Sequence, residues 1–148
     1  MIREITPADN EEIAIVIRKV LIEFGVPKVG TAYADKVLDC MYETYDKPTS
    51  VYFVVDDNGK LIGGAGIAQL DNYDGNVCEL QKMYFHNSMR GKGYGSIMID
   101  MCLEFARKVK FEKCYIETMP NMIDAQKLYI KKGFKYIDKP LGNTGHAL

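Results

Sequence analysis

The stretch NVCELQKMYFH reads as a strand. It runs into Arg90-Gly91-Lys92-Gly93-Tyr94-Gly95-Ser96, and a helix-patterned segment starts directly behind it. Glycine tolerates left-handed backbone and lets a ligand approach without meeting a Cβ. The first amides of a helix have no partner inside the helix, and the helix dipole adds partial positive charge there. Strand, bare loop and helix start together predict an anion site, with phosphate the usual occupant. A Walker A loop needs Ser or Thr after Gly-Lys, but Gly93 follows Lys92. A dinucleotide GxGxxG needs a third glycine where Ser96 stands, and no first-strand βαβ unit surrounds it. A third pattern, Gln/Arg-x-x-Gly-x-Gly/Ala, is met at every specified position from Arg90 to Gly95.

The chain has 148 residues, which predicts one domain over residues 1–148 with a substantial core. A net charge of −1 argues against nucleic acid or an anionic membrane surface as partner. Four cysteines far apart in sequence, with no CxxC pair and only two histidines, argue against a metal site. The cysteines Cys40, Cys78, Cys102 and Cys114 read as small core residues in a reducing compartment. The start MIREITPADNEE lacks the apolar core of a signal peptide, and no apolar run approaches a membrane span. A cytoplasmic location is the default expectation.

MIREI predicts a short strand. Thr6-Pro7-Ala8-Asp9 predicts a helix start, with Thr6 as cap and Pro7 in first position. Ile13, Val16, Ile17, Val20, Leu21 and Phe24 recur at helical spacing until Gly25. TAYADKVLDCMYETY predicts a second helix. SVYFVV is a near-continuous apolar run, which suits a strand covered on both faces. Asn58-Gly59 is a hairpin signal joining it to KLIGGAGIAQL. In NVCELQKMYFH the apolar residues are first even-numbered, Cys78 and Leu80, then odd-numbered, Met83 and Phe85. A period-two strand switches faces only by gaining a residue, which predicts a β-bulge near Gln81-Lys82. The plainer alternative covers both Met83 and Tyr84 and leaves the strand regular.

Ile97, Met98, Met101, Cys102, Phe105 and Val109 predict a long helix after the loop. KCYIET follows as a strand, MIDAQKLYIKK as a helix ending at Gly133, and FKYI as a last clear strand. The tail DKPLGNTGHAL offers at most a stub. The order β-α-α-β-β-β-α-β-α-β predicts an α/β protein with a mixed α+β sheet and helices on its faces.

The third glycine pattern is the pyrophosphate loop of the GNAT N-acetyltransferase superfamily, which this chain resembles. The LQKMYF strand before it fits. So does the later Ala-x-x-x-Tyr followed by Gly-Phe, here Ala125, Tyr129, Gly133 and Phe134. The order of elements extends the resemblance over essentially the whole chain. It implies the GNAT fold with a very short or missing seventh strand, leaving an edge that a second copy would cover as a homodimer. It also implies acetyl-CoA as cosubstrate, without a metal, and direct acetyl transfer to a primary amine.

On that resemblance Arg90, Gly91, Lys92, Gly93, Tyr94, Gly95 and Ser96 hold the pyrophosphate. Lys92 is otherwise a solvated side chain. Met83, Tyr84 and Phe85 run beside the pantetheine arm. Tyr129 lends a proton to the departing thiolate, or else is a core aromatic. Glu79, opposite in parity to Cys78 and Leu80, is the base for the amine, or else a solvated or salt-bridged carboxylate. Members often carry an asparagine where Met122 stands here. Asn121 lies one residue early, as a pantetheine contact or as a helix cap.

The acceptor elements implied are FGVPKVGTAY and DKPLGNTG. Tyr42 and Tyr45 read as pocket lining or core, and Asp71 and Asp74 as an attraction for a cation or a solvated turn. A small amine or a peptide N-terminus is the favoured acceptor. The rival reading is a non-catalytic acyl-CoA-binding module, which needs neither Glu79 nor Tyr129.

Overall fold

The structure, a computed structural model, describes residues 1–25, 34–71, 73–87, 92–118, 122–137 and 141. Five strands form one sheet in the order β1 (Ile2–Glu4), β2 (Val51–Asp57), β3 (Lys60–Gln69), β4 (Val77–Phe85), β5 (Lys113–Tyr115). Neighbours are antiparallel except β4 and β5, which are parallel. Among the described residues four α-helices accompany them: α1 (Asn10–Glu23), α2 (Met41–Tyr45), α3 (Tyr94–Lys108) and α4 (Ile123–Lys131).

Each sheet face has its own core. Ile13, Ile17 and Leu21 of α1 pack with Met41 and Tyr45 of α2 against Tyr52 and Val54. On the other face Met98, Ile99, Cys102 and Ala106 of α3 and Tyr129 of α4 pack against Val55, Ile67, Cys78 and Leu80. SVYFVV alternates between these two cores, which is why it is apolar throughout. The β2–β3 hairpin turns at Asn58 and Gly59, both at positive φ.

Several local expectations are corrected. Thr6 is the cap and Pro7 the first position, as expected, but of a 3₁₀ turn, Pro7–Asp9, that precedes α1. The Asp9 carboxylate accepts from the Thr6 N–H at 2.7 Å and from two Arg3 nitrogens at 2.7 and 2.9 Å. The Arg3 guanidinium holds that carboxyl below the usual carboxylate range. The expected second helix is split into a 3₁₀ turn, Lys36–Asp39, and α2, with Cys40 out of helical conformation between them. Asp35 accepts from the Val37 N–H and Asn10 accepts from the Tyr42 N–H, so side chains take the amides that a continuous helix would use. Cys40 is exposed and is no core residue. On α3, Ile97 is exposed and Ile99 takes the buried place.

Residues 134–137 form no strand among the described residues. A strand needs a neighbour to pair with. Here Tyr136 is exposed and its hydroxyl donates to Gln126 Oε1 at 2.9 Å. The tail, where at most a stub of a seventh strand was expected, lies outside the described residues apart from Leu141.

The glycines of β3 have a packing reason. The Tyr52 ring lies across the strand at Gly64 and Gly66. A Cβ on Gly64 would stand 2.5 Å from Tyr52 Cε2 and 2.6 Å from the Phe53 carbonyl oxygen. Gly64→Ala is therefore expected to destabilise the fold by about 3 kcal/mol, the upper end for overpacking. A urea unfolding midpoint unchanged from the parent would contradict this packing.

Candidate active site

The bulge expected in β4 is present. Gly64 pairs with Tyr84 and Gly66 with Gln81, so Lys82 and Met83 together face Ala65. Lys82 has φ 49°, the left-handed value that lets the extra residue fit. Across the bulge Cys78, Leu80, Met83 and Phe85 all reach the α3 core, while Tyr84 packs on the α1 side. The Tyr52 hydroxyl donates to the Lys82 carbonyl at 2.7 Å, a strut from β2 across β3 to the bulge.

Pairing of β4 with β5 covers Val77, Cys78 and Glu79 and ends at the pair Glu79–Tyr115. β4 continues to Phe85, and from Leu80 to Tyr84 its outer edge pairs with no described strand. Just past β5, the Thr118 hydroxyl is buried without a hydrogen-bond partner. Such an orphan is uncommon in a native interior, where buried polar groups are paired.

Glu79 stands where the pairing ends and is buried, with 4% of its surface exposed. That removes the solvated alternative. Its Oε1 accepts from Gln81 Nε2 at 2.6 Å, and Gln81 Oε1 accepts from the Tyr45 hydroxyl at 2.6 Å. Burial first, and the Glu79 charge second, push the Tyr45 phenol well above its ordinary pKa. Tyr115, the cross-strand neighbour of Glu79, is pushed up to about 12 by burial and by donating to Glu117 Oε2 at 2.8 Å. Cys78 and Cys114 face each other across the same pairing. The interaction between the two thiols lowers Cys78 and raises Cys114.

Tyr129 is held by the end of its helix. The Phe134 N–H donates to the Tyr129 carbonyl and the Gly133 N–H to the Ile130 carbonyl, both at 3.0 Å. This is a Schellman motif with Gly133 at φ 100°. Its apolar contact is the edge-on pair Tyr129–Phe134, with ring centroids 5.9 Å apart. The Gly-Phe of the sequence pattern thus fixes the tyrosine ring. Burial, with a smaller contribution from Tyr84, raises the Tyr129 phenol well above its ordinary pKa.

At the head of α3, Gly93 is the N-cap at φ 84°, a conformation that favours glycine. Its carbonyl accepts from the Ile97 N–H at 3.2 Å, which leaves the amides of the first turn outside the helical ladder. Lys92 is exposed, and Tyr94, Gly95 and Ser96 are half-buried. Arg90, Gly91 and Asn121 lie outside the described residues, as do most of the two expected acceptor loops. Asp71 and Asp74 are exposed between β3 and β4. Tyr42 and Tyr45 line a small cavity of about 60 Å³ with Glu4, Asp46 and Tyr52.

At the start of α3, Gly95 lies against Met83 and Phe85 of the bulge, while Glu79 stands further back on β4 where its pairing with β5 ends. Sequence reasoning missed Gln81 and Thr118. Gln81 was within reach, because period two puts it on the face of Glu79. Thr118 carries no local signal.

The acetyltransferase (GNAT) family model matches residues 21–134. An uncharacterized N-acetyltransferase of Escherichia coli, YjgM, is 43% identical over 148 residues, 99% of this chain and 89% of that protein. A GNAT-family acetyltransferase structure from Staphylococcus aureus aligns with TM-score 0.82 at 21% identity, over 94% of this chain and 85% of that one. A predicted acetyltransferase from Clostridium acetobutylicum, solved with acetyl-CoA, aligns with TM-score 0.79 at 20% identity, covering 99% and 97%. With a family match over most of its length and a close relative along nearly all of it, the chain belongs to the acetyltransferase (GNAT) family.

Proposed function

We propose that this chain moves the acetyl group of acetyl-CoA directly to a primary amine, either a small amine or a peptide N-terminus. One observation carries the reading: a buried carboxylate, Glu79, stands where β4 parts from β5 and the open, bulged edge of β4 begins. A buried carboxylate on the strand beside the bulge is a group that can take a proton, which a pure binding module does not require.

The residues present fit coenzyme A. The free amides from Gly93 to Ser96 suit a pyrophosphate, with Arg90 and Lys92 as cations beside it. The β4 edge at Met83 and Tyr84, which pairs with no described strand, and the orphaned Thr118 hydroxyl suit the amides of a pantetheine arm, and Phe85 and Asn121 are further candidate contacts. The bound thioester supplies an already activated acetyl group.

Glu79 takes the proton that the amine must lose before it attacks, directly or through water. Tyr129, kept protonated by its burial, donates to the departing thiolate. By parity Glu79 belongs to the α1–α2 side, while Tyr129 packs in the α3–α4 core. Base and acid therefore approach the open edge from opposite faces, with the acceptor entering on the first and the thiol leaving on the second. The domain is read as one unit over residues 1–148.

The test is release of free thiol from acetyl-CoA with a panel of spermidine, cadaverine, neamine, free amino acids and tripeptides. Turnover with one amine class is expected. Tight acetyl-CoA binding, seen as thermal stabilisation, with no turnover across the panel would favour the binding module.

A further inference from the structure

The buried side chains around Glu79 form a directed chain. An ionised carboxylate only accepts hydrogen bonds, so Gln81 must offer it the amide NH₂. The Gln81 carbonyl is then left for Tyr45, whose hydroxyl must donate. The two links are 2.6 Å each, and all three residues meet on one side of β4. Tyr45 is fixed in turn: its ring packs on Tyr52 with centroids 5.2 Å apart, in space that Gly66 leaves open. We propose that Gln81 and Tyr45 are positioning residues for acetyl transfer, holding the Glu79 carboxylate in the direction from which it receives the amine proton.

This inference rests on the proposed role of Glu79 and adds what aims it. The Gln81 amide is a neutral donor, and its hydrogen bond fixes the direction of the carboxylate. The relay also connects the base to α2, so the geometry of the acceptor side reaches the reacting proton. Titratable groups facing the relay from neighbouring elements are Tyr52 on β2, Tyr115 on β5, Cys78 and Tyr84 on β4, Asp71 after β3 and Cys102 on α3. The α1 residues buried over the sheet are apolar.

The experiment compares Tyr45→Phe, Gln81→Met, Glu79→Gln and the two double variants with Glu79→Gln, using acetyl-CoA and the fastest amine of the panel above. Tyr45→Phe and Gln81→Met are each expected to lower kcat about 10-fold, a fraction of what a general base contributes. They should leave KM for acetyl-CoA unchanged and move the acidic limb of the kcat–pH profile upward, because Gln81→Met removes the donor that favours the charged carboxylate and Tyr45→Phe releases the group that aims that donor. In the Glu79→Gln background neither change should lower kcat further, as expected for residues acting as one unit. Additive losses in that background would mark a merely structural role and overturn the proposal. If Glu79→Gln removes the limb while both relay variants keep the parent profile, the relay fails and the Glu79 reading stands. An unaltered profile in Glu79→Gln itself would overturn both. Tyr45→Phe keeps the buried ring, so it carries the test even where Gln81→Met does not fold.

Discussion

Glu79→Gln is expected to lower kcat by about 100-fold, the lower range for loss of a general base. The reason is the protonation state of the acceptor. A typical alkylamine with a pKa near 10.4 is almost wholly ammonium at pH 7, and freeing its lone pair costs roughly 4–5 kcal/mol. A thioester attacked in water bears that cost in full. A carboxylate fixed beside the amine takes the proton as the new bond forms, which recovers part of it. Glutamine has the same shape, and its carbonyl can still accept from Gln81 Nε2, so the 2.6 Å contact has no reason to break. Folding and acetyl-CoA affinity should therefore stay near parental values, and the loss should fall on kcat. The acidic limb of the kcat–pH profile should vanish with it. A variant that keeps both its rate and its limb would remove Glu79 from the chemistry.

Which parts of this site were legible in the sequence follows from the range of the physics involved. The bulge was legible because it is local: Cys78 and Leu80 against Met83 and Phe85 already encode a change of face, and Lys82 at φ 49° is where it happens. Gly133-Phe134 was legible as a motif, and the Schellman bonds give its reason. The Tyr45–Gln81 link was not legible, since the partners lie 36 residues apart and meet only after α2 folds over the sheet. Gly64 and Gly66 of β3 were read as strand residues, though they admit the Tyr52 ring. Helix propensity over residues 31–45 was overridden by Asp35 and Asn10, whose side chains reach amides that the pattern assigned to a helix. Phe134–Ile137 has strand-like composition, but composition cannot supply the neighbouring strand. On α3 two adjacent apolar stripes were available, and packing buried the one with Met98, Ile99 and Cys102.

Tyr129→Phe is expected to lower kcat about 10- to 100-fold, at or below the range for a general acid. The size follows from the leaving group. A thiol near pKa 8.5 departs as thiolate without full protonation, so a phenol contributes by donating to the sulfur as charge develops there. Burial raises the Tyr129 phenol, so it stays protonated across the neutral and mildly basic range and keeps its donor. It follows that no basic limb from this residue should appear in the parent kcat profile below about pH 10, the ordinary phenol value. Phenylalanine preserves the ring that packs against Phe134 at 5.9 Å, and the Schellman bonds involve only backbone. The melting temperature and KM for acetyl-CoA should then hold while kcat falls, the signature of an interaction made in the transition state. A loss confined to stability, with kcat intact, would return Tyr129 to the core.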